Sequence, residues 1–344
     1  MATVQLNTAS DFSKLDIGLW QYLVPVIRTG NTFAGYYSFN PNSTVTFQGS
    51  GFTYAGDGTP TGGVVTRFWE TANGATLFDV QSISVPVQTL LYWTSNGLSL
   101  TALATMLNGG DAIYGSPYAD SVWGFQGNDG IVGNGGNDYL SGDEGNDILL
   151  GGSGNDGLNG GPGLDTAIFG GASINYTIST SNGYRFIEYE PTGELDSTIN
   201  IERFQFSDRV LAFDTDGNAG QMYRLYQAAF ERTPDVGGLS YWVSQYDDQI
   251  GDLVWVANNF ILSAEFAQTY GPPTTLSNSS FVDLLYDNVL GRDPDAGGEA
   301  YWLGQLANGL SRAHVLASFS ESAENKALVE SAIANGIWLD LSVA

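Results

Sequence analysis

The chain has 344 residues, 42% of them hydrophobic, with 37 acidic residues against 11 basic ones, a formal net charge of -26 and no cysteine. That length and apolar content support two or three domains with real cores and exclude global disorder, and no apolar run approaches the ~18 residues that span a bilayer. A surface this acidic repels phosphate backbones and attracts divalent cations, so nucleic acid is not an expected partner, and cysteine chemistry is impossible.

Residues 1–105 read as a β-rich domain. Phe33–Phe39, Thr44–Tyr54, Gly63–Glu70 and Thr76–Val80 are the expected strands, with a hairpin turn at Ala72-Asn73-Gly74. Leu98–Leu107 reads as a short helix leading onward. The opening MATVQLNTASDFSK has no basic region followed by an apolar one, so export through a classical cleaved signal is not expected. The glycine-rich run 51–63 has no following lysine or helix start and does not read as a phosphate loop. Trp20, Tyr36, Tyr37, Trp69 and Trp93 read as core aromatics, with a partner surface as the alternative.

Residues 106–171 repeat every nine residues. Asp111, Asp120, Asp129, Asp138, Asp147, Asp156 and Asp165 keep that spacing without a slip. Two residues after each lies an apolar position, from Ile113 to Ala167, and two before lies Gly109, Gly127, Gly136, Gly145, Gly154 or Gly163, with Tyr118 the exception. Asn128, Asn137, Asn146 and Asn155 precede four of the aspartates. Glycine allows positive φ and lets carbonyls approach a ligand, while carboxylate and carbonyl oxygens are the donors calcium prefers. Each apolar position is the centre of a short strand with one inward side chain. Two nonapeptides then close one coil of a parallel β-roll, and residues 18 apart stack. The expected carboxylate pairs are Asp111/Asp129, Asp120/Asp138, Asp129/Asp147, Asp138/Asp156 and Asp147/Asp165, with glycine and asparagine carbonyls between, for three to five calcium ions. The units around Asp111 and Asp120 are the degenerate ones.

The unit Gly151–Asn159, GGSGNDGLN, resembles the GGxGxDxUx repeat of the RTX proteins. That resemblance implies calcium as the bound ion, folding on calcium and export by type I machinery. Stacked carboxylates without metal repel, so calcium is expected to supply part of the folding free energy.

Residues 172–214 alternate polar and apolar positions and read as strands with turns at Asn182-Gly183 and Thr192-Gly193. Asn200–Asp208 resembles the segment that closes many RTX rolls. Asp214–Asn218, DTDGN, lacks EF-hand spacing and reads as a linker with a helix cap.

From residue 215 to 344 the period is helical and a longer repeat appears. Leu225-Tyr226, Arg232, Pro234-Asp235, Gly237-Gly238 and Tyr241-Trp242 recur 60 residues later as Leu285-Tyr286, Arg292, Pro294-Asp295, Gly297-Gly298 and Tyr301-Trp302. Asp235, Asp295 and Ser311 stand where N-caps belong, and Arg232 and Arg292 are expected to bridge to nearby acids. The Tyr-Trp pairs read as core, with sugar-stacking platforms as the alternative. The duplication resembles a helical domain of undetermined function found in RTX proteins and in some surface-layer proteins that grip lipopolysaccharide. Ile337–Ala344 resembles the uncleaved C-terminal signal of type I substrates.

The expected fold is therefore multidomain α+β: a β-rich N-terminal domain, a parallel β-roll, a capping β segment and an all-α duplication. No HExxH or GxSxG occurs, and His314 is the one histidine, so catalysis is not expected. The expected function is a secreted calcium-binding structural protein that self-associates at the cell surface as a layer, sheet or filament. The alternatives are a calcium-dependent adhesin for glycan or lipopolysaccharide, and a secreted enzyme with acidic catalysis.

Overall fold

Alternating apolar residues build an antiparallel sheet at the start of the chain. It comprises β1 (Thr3–Leu6), β2 (Leu23–Arg28), β3 (Thr32–Tyr37), β4 (Asn40–Tyr54), β5 (Pro60–Ala72) and β6 (Ala75–Pro86). The structure is a computed structural model and describes residues 1–12, 20 and 22–341. Strands β2 to β6 pair in sequence, and β6 then pairs antiparallel with β1. Asn73 and Gly74, at φ 50° and 82°, form the tight turn between β5 and β6. Trp20 packs edge-on against Phe47 and Phe68 at 5.1 and 5.0 Å. Two helices follow, α1 (Val87–Asn96) and α2 (Ser99–Met106). Helix α1 is absent from the sequence expectation because it carries no start signal: its N-cap is Pro86, which makes no side-chain capping bond.

The nonapeptide region forms β7 (Ala112–Tyr114), β8 (Ser121–Trp123), β9 (Gly130–Gly135), β10 (Tyr139–Ser141), β11 (Ile148–Ser153), β12 (Gly157–Asn159) and β13 (Thr166–Ile168). Odd and even members make two parallel stacks, β7-β9-β11-β13 and β8-β10-β12. The register is 18 residues throughout: Ile113 pairs with Ile131, Leu140 with Leu158, Leu149 with Ala167. Each strand turns one aliphatic inward, and all seven from Ile113 to Ala167 are buried.

The stacks extend past the repeat at both ends. At the start, β1 pairs parallel with β7, Val4 opposite Ile113, and Asp11 bridges Ser121, so residues 2–12 complete one further coil. At the other end come β14 (Tyr176–Ser181), β15 (Tyr184–Tyr189), β16 (Glu194–Ile199) and β17 (Arg203–Gln205). The first three form an antiparallel meander whose last strand lies parallel on β12, and β17 lies parallel on β13 with Phe204 opposite Ala167. Phe169 stands where earlier units have glycine. It packs on Phe204 and Phe206 at 5.3 and 5.6 Å, closing the aliphatic column with an aromatic plug.

Residues 207–344 form a second unit, distinct from residues 1–206. It contains β18 (Val210–Ala212), then α3 (Asn218–Phe230), α4 (Val236–Asp247), α5 (Leu253–Ile261), α6 (Ala264–Tyr270), α7 (Asn278–Leu290), α8 (Ala296–Ala307), α9 (Arg312–Ser320) and α10 (Ala323–Ile333), and last β19 (Ile337–Leu339). Helices α7 and α8 repeat α3 and α4 with a 60-residue offset. Asp235, Asp295 and Ser311 accept N-cap bonds from Gly238, Gly298 and His314. Asp214 Oδ2 accepts from the Ala219 amide, which makes DTDGN a cap on α3. Arg232 and Arg292 pair with Glu265 and Glu324 at 2.6 and 2.9 Å. The unit is not all helix: β19 pairs antiparallel with β18, with Ile337 and Leu339 buried. Residues 342–344 of the expected C-terminal signal lie outside the described residues. No helix among the described residues is long and apolar enough to cross a membrane.

Candidate metal centre

Every repeat aspartate stands immediately before a strand, so the parallel stacks line their carboxylates into two columns. The first is Asp111, Asp129, Asp147 and Asp165; the second is Asp120, Asp138 and Asp156. Within each column Oδ1 accepts the backbone amide of the aspartate 18 residues earlier: Asp129 from Asp111, Asp138 from Asp120, Asp147 from Asp129, Asp156 from Asp138 and Asp165 from Asp147, all at 2.7–2.8 Å. All seven aspartates are buried.

Their second oxygens are the notable feature. Oδ2 of Asp111, Asp129, Asp138, Asp147, Asp156 and Asp165 is buried without a hydrogen-bond partner. A buried, unpaired carboxylate oxygen is costly unless a cation meets it. The glycine five residues before each aspartate from Asp120 to Asp165 faces the same space. A Cβ on Gly124 would meet Asp129 Oδ2 and the Gly142 carbonyl, and one on Gly133 would meet Asp138 Oδ2 and the Gly151 carbonyl. Anionic and carbonyl oxygens thus converge where a side chain would otherwise begin, a hard donor set that fits calcium. No group of three or more histidine, cysteine or acidic side chains gathers among the described residues.

Asp120 differs. Its Oδ2 accepts from the Ser116 amide and its Oδ1 from the Ser10 amide, each at 2.6 Å, so both oxygens are occupied by protein. This is the degenerate unit, where Tyr118 replaces glycine. The other turn glycines Gly109, Gly127, Gly136, Gly145 and Gly154 take φ between 108° and 140°. Gly163 stacks on Gly145, and a Cβ there would strike the Gly145 carbonyl. The asparagines form a separate outer ladder: Asn128, Asn137, Asn146 and Asn155 accept through Oδ1 from the amides of Asn146, Asn155, Leu164 and Leu195. Their side-chain oxygens are committed to turns, which leaves main-chain carbonyls as their contribution to a metal.

Sequence spacing alone missed four members. Asp196 Oδ1 accepts from the Asp156 amide at 2.8 Å, and Glu202 Oε2 from the Asp165 amide at 2.9 Å, so both columns continue beyond the repeat. The inserted meander sets Asp196 40 residues after Asp156, which breaks the period. At the other end the amides of Ala2 and Ser10 donate to Asp111 and Asp120.

Crowding anions away from water favours the protonated form. Burial, reinforced by neighbouring carboxylates, pushes Asp129, Asp165 and Asp196 up to about 7 and Asp138 up to about 6. Asp111, Asp147 and Asp156 are raised for the same leading reason.

The RTX calcium-binding nonapeptide repeat family matches residues 107–140 and 132–167. The family described as Domain of unknown function (DUF4214) matches residues 257–329. No curated protein matches the chain. The extracellular lipase LipA from Serratia marcescens is similar in a solved structure at 23% identity, covering 29% of this chain and 14% of that one with a TM-score of 0.20. So short and loose a likeness carries no argument about function. The repeat match rests on the same residues that build the two carboxylate columns: residues 107–167 are nonapeptide repeats of the RTX type, and such repeats bind Ca²⁺.

Proposed function

We propose that the chain is a secreted structural protein whose nonapeptide block is a parallel β-roll that folds on extracellular calcium, and that it assembles at the cell surface. The single observation that carries the calcium switch is the row of six buried, unpartnered Oδ2 atoms. The proposed ligands are these aspartates with main-chain oxygens of the flanking glycines and asparagines, Gly109, Gly127, Asn128, Gly136, Asn137, Gly145, Asn146, Gly154, Asn155 and Gly163. Asp196 and Glu202 extend the same columns, and Asp120 is the weakest member because amides already occupy it. The modules in this reading are 1–105, 106–171, 172–214 and 215–344. In the low-calcium cytosol the columns repel and the block stays open for export through type I machinery. Outside, at the ~10⁻⁴–10⁻³ M calcium typical of extracellular modules, binding and folding are one event.

Assembly is supported by the lack of a catalytic constellation in the sequence and by a chain whose densest acids are explained by calcium. The adhesin reading keeps one observation: Tyr241 and Tyr301 are 54% and 56% exposed at matched positions, while Trp242 and Trp302 pack on Phe260 and Phe319. The test is calcium titration into metal-free protein, followed by circular dichroism and light scattering together. A joint rise of β signal and particle mass is expected. A β signal that rises while the particle stays monomeric would move the adhesin to first place, and no change in either would overturn the calcium switch.

A further inference from the structure

The negative charge is unevenly distributed. Residues 17–110 contain only Asp57, Glu70 and Asp79 as acids and Arg28 and Arg67 as bases, in a chain whose net charge is -26. Residues 17–56 hold no acid at all. Within this stretch β2 is the outermost strand of its sheet among the described residues. Its Val24, Val26 and Ile27 are 37%, 58% and 46% exposed, and Tyr22 just before it is 54% exposed. Between β2 and α1 lies an open cavity of 680 Å³ whose described lining includes Leu23, Pro25 and Tyr92 and no charged residue. Tyr92 itself is 60% exposed.

Resting on the assembly reading, we propose that this acid-free edge, β2 with the facing side of α1, is where a second copy of the chain docks. Salt confines repulsion to charges within about 8 Å of a contact, so local charge decides where two strongly anionic copies can meet. An edge strand with exposed aliphatics is also a place where proteins self-associate unless it is blunted. Here Pro25 removes an N–H, and the register against β3 shifts between Pro25 and Ile27. A continuous ladder to a neighbouring strand is thereby blocked, and the contact is made by side-chain packing. The same sheet supplies the link to calcium. Its order runs β7-β1-β6-β5-β4-β3-β2, so ordering the carboxylate column at β7 steadies the sheet that carries the docking edge.

The test is particle mass by light scattering across protein concentration, in calcium, for the full chain, Val26→Glu, Tyr92→Glu and the control Leu262→Glu. Leu262 is 67% exposed in the helical unit. All three sites are exposed, and circular dichroism checks that each variant folds on calcium as the parent does. The expected result is that Val26→Glu and Tyr92→Glu each raise the midpoint of assembly about tenfold or more, that Leu262→Glu does not, and that parental assembly survives high salt. If the parent assembles but the edge variants assemble equally well, or high salt dissolves the assembly, the surface assignment is wrong while the assembly reading stands. A parent that remains monomeric in calcium overturns both. If that monomer also binds the neutral probe N-phenyl-1-naphthylamine, and Tyr92→Glu abolishes the binding, the cavity is a small-molecule cleft instead.

Discussion

Each column aspartate divides its work between two oxygens. In Asp147, Oδ1 holds the amide of Asp129 at 2.8 Å, while Oδ2 is buried with no protein partner. Asp147→Asn keeps an acceptor for the amide but replaces the second oxygen with a donor and removes a buried charge. The calcium midpoint is expected to rise about tenfold, equivalent to about 1.4 kcal/mol, while the metal-free state becomes less prone to unfold. Calcium titrations followed by far-ultraviolet circular dichroism, with urea melts of metal-free protein, read both effects. A midpoint equal to the parent's would remove Asp147 from the ligand set. Gly145 tests the backbone instead. It sits at φ 140°, and a Cβ there would collide with the Gly127 carbonyl one coil away. Gly145→Ala is expected to destabilise the calcium-loaded fold by about 3 kcal/mol or more, since backbone strain and a backbone clash act together. Thermal unfolding in saturating calcium measures it.

At the level of elements, the columns make the nonapeptide block respond to protons as well as calcium. Asp129, Asp138, Asp165 and Asp196 titrate higher in the folded chain than in the unfolded one, so the folded block holds more protons between about pH 4 and 7. For a raised carboxyl, the stabilising contribution is fully present below the unfolded value and is lost as pH rises through the folded value, up to about 7 for Asp129, Asp165 and Asp196. Dialysed, calcium-free protein is therefore expected to show more β signal at pH 5 than at pH 8. Calcium must displace those protons, so its apparent affinity falls as pH drops below about 7, and calorimetry in buffers of different ionisation enthalpy detects proton release. A metal-free β signal independent of pH would contradict the raised carboxyls. The same columns mark where sequence reading succeeds and stops. Seven aspartates at a period of nine are legible because each coil is built from two identical turns. Asp196 and Glu202 are not, because β14 and β15 intervene and shift the offset from 18 to 40 and 37. Ala2 and Ser10 join through main-chain amides alone, which no side-chain pattern announces. The helical duplication was legible for a related reason: a 60-residue repeat preserves caps such as Asp235 and Asp295 along with the apolar face.

For the whole molecule, the chain holds two units with separate cores, and only one contains the carboxylate columns. The second unit buries its own cluster, with Phe260, Phe266, Phe281 and Phe319 at its heart, and ties the end of its chain back through β19 against β18. Its bidentate Arg224–Glu321 pair, with Arg224 2% exposed, joins α3 of one copy to the C-terminal end of α9 in the other without any metal. A ligand stabilises what binds it by RT ln(1 + [L]/Kd), about 2.7 kcal/mol per site at a hundred times Kd. Several sites in one unit therefore add up there and add nothing to the other. Differential scanning calorimetry is expected to resolve two transitions, of which the one belonging to residues 1–206 moves up strongly with calcium while that of residues 207–344 stays in place. A helical transition that climbs in step with the other would mean that calcium acts on the chain as one cooperative body, and that the division into a calcium-dependent unit and a self-sufficient one is wrong.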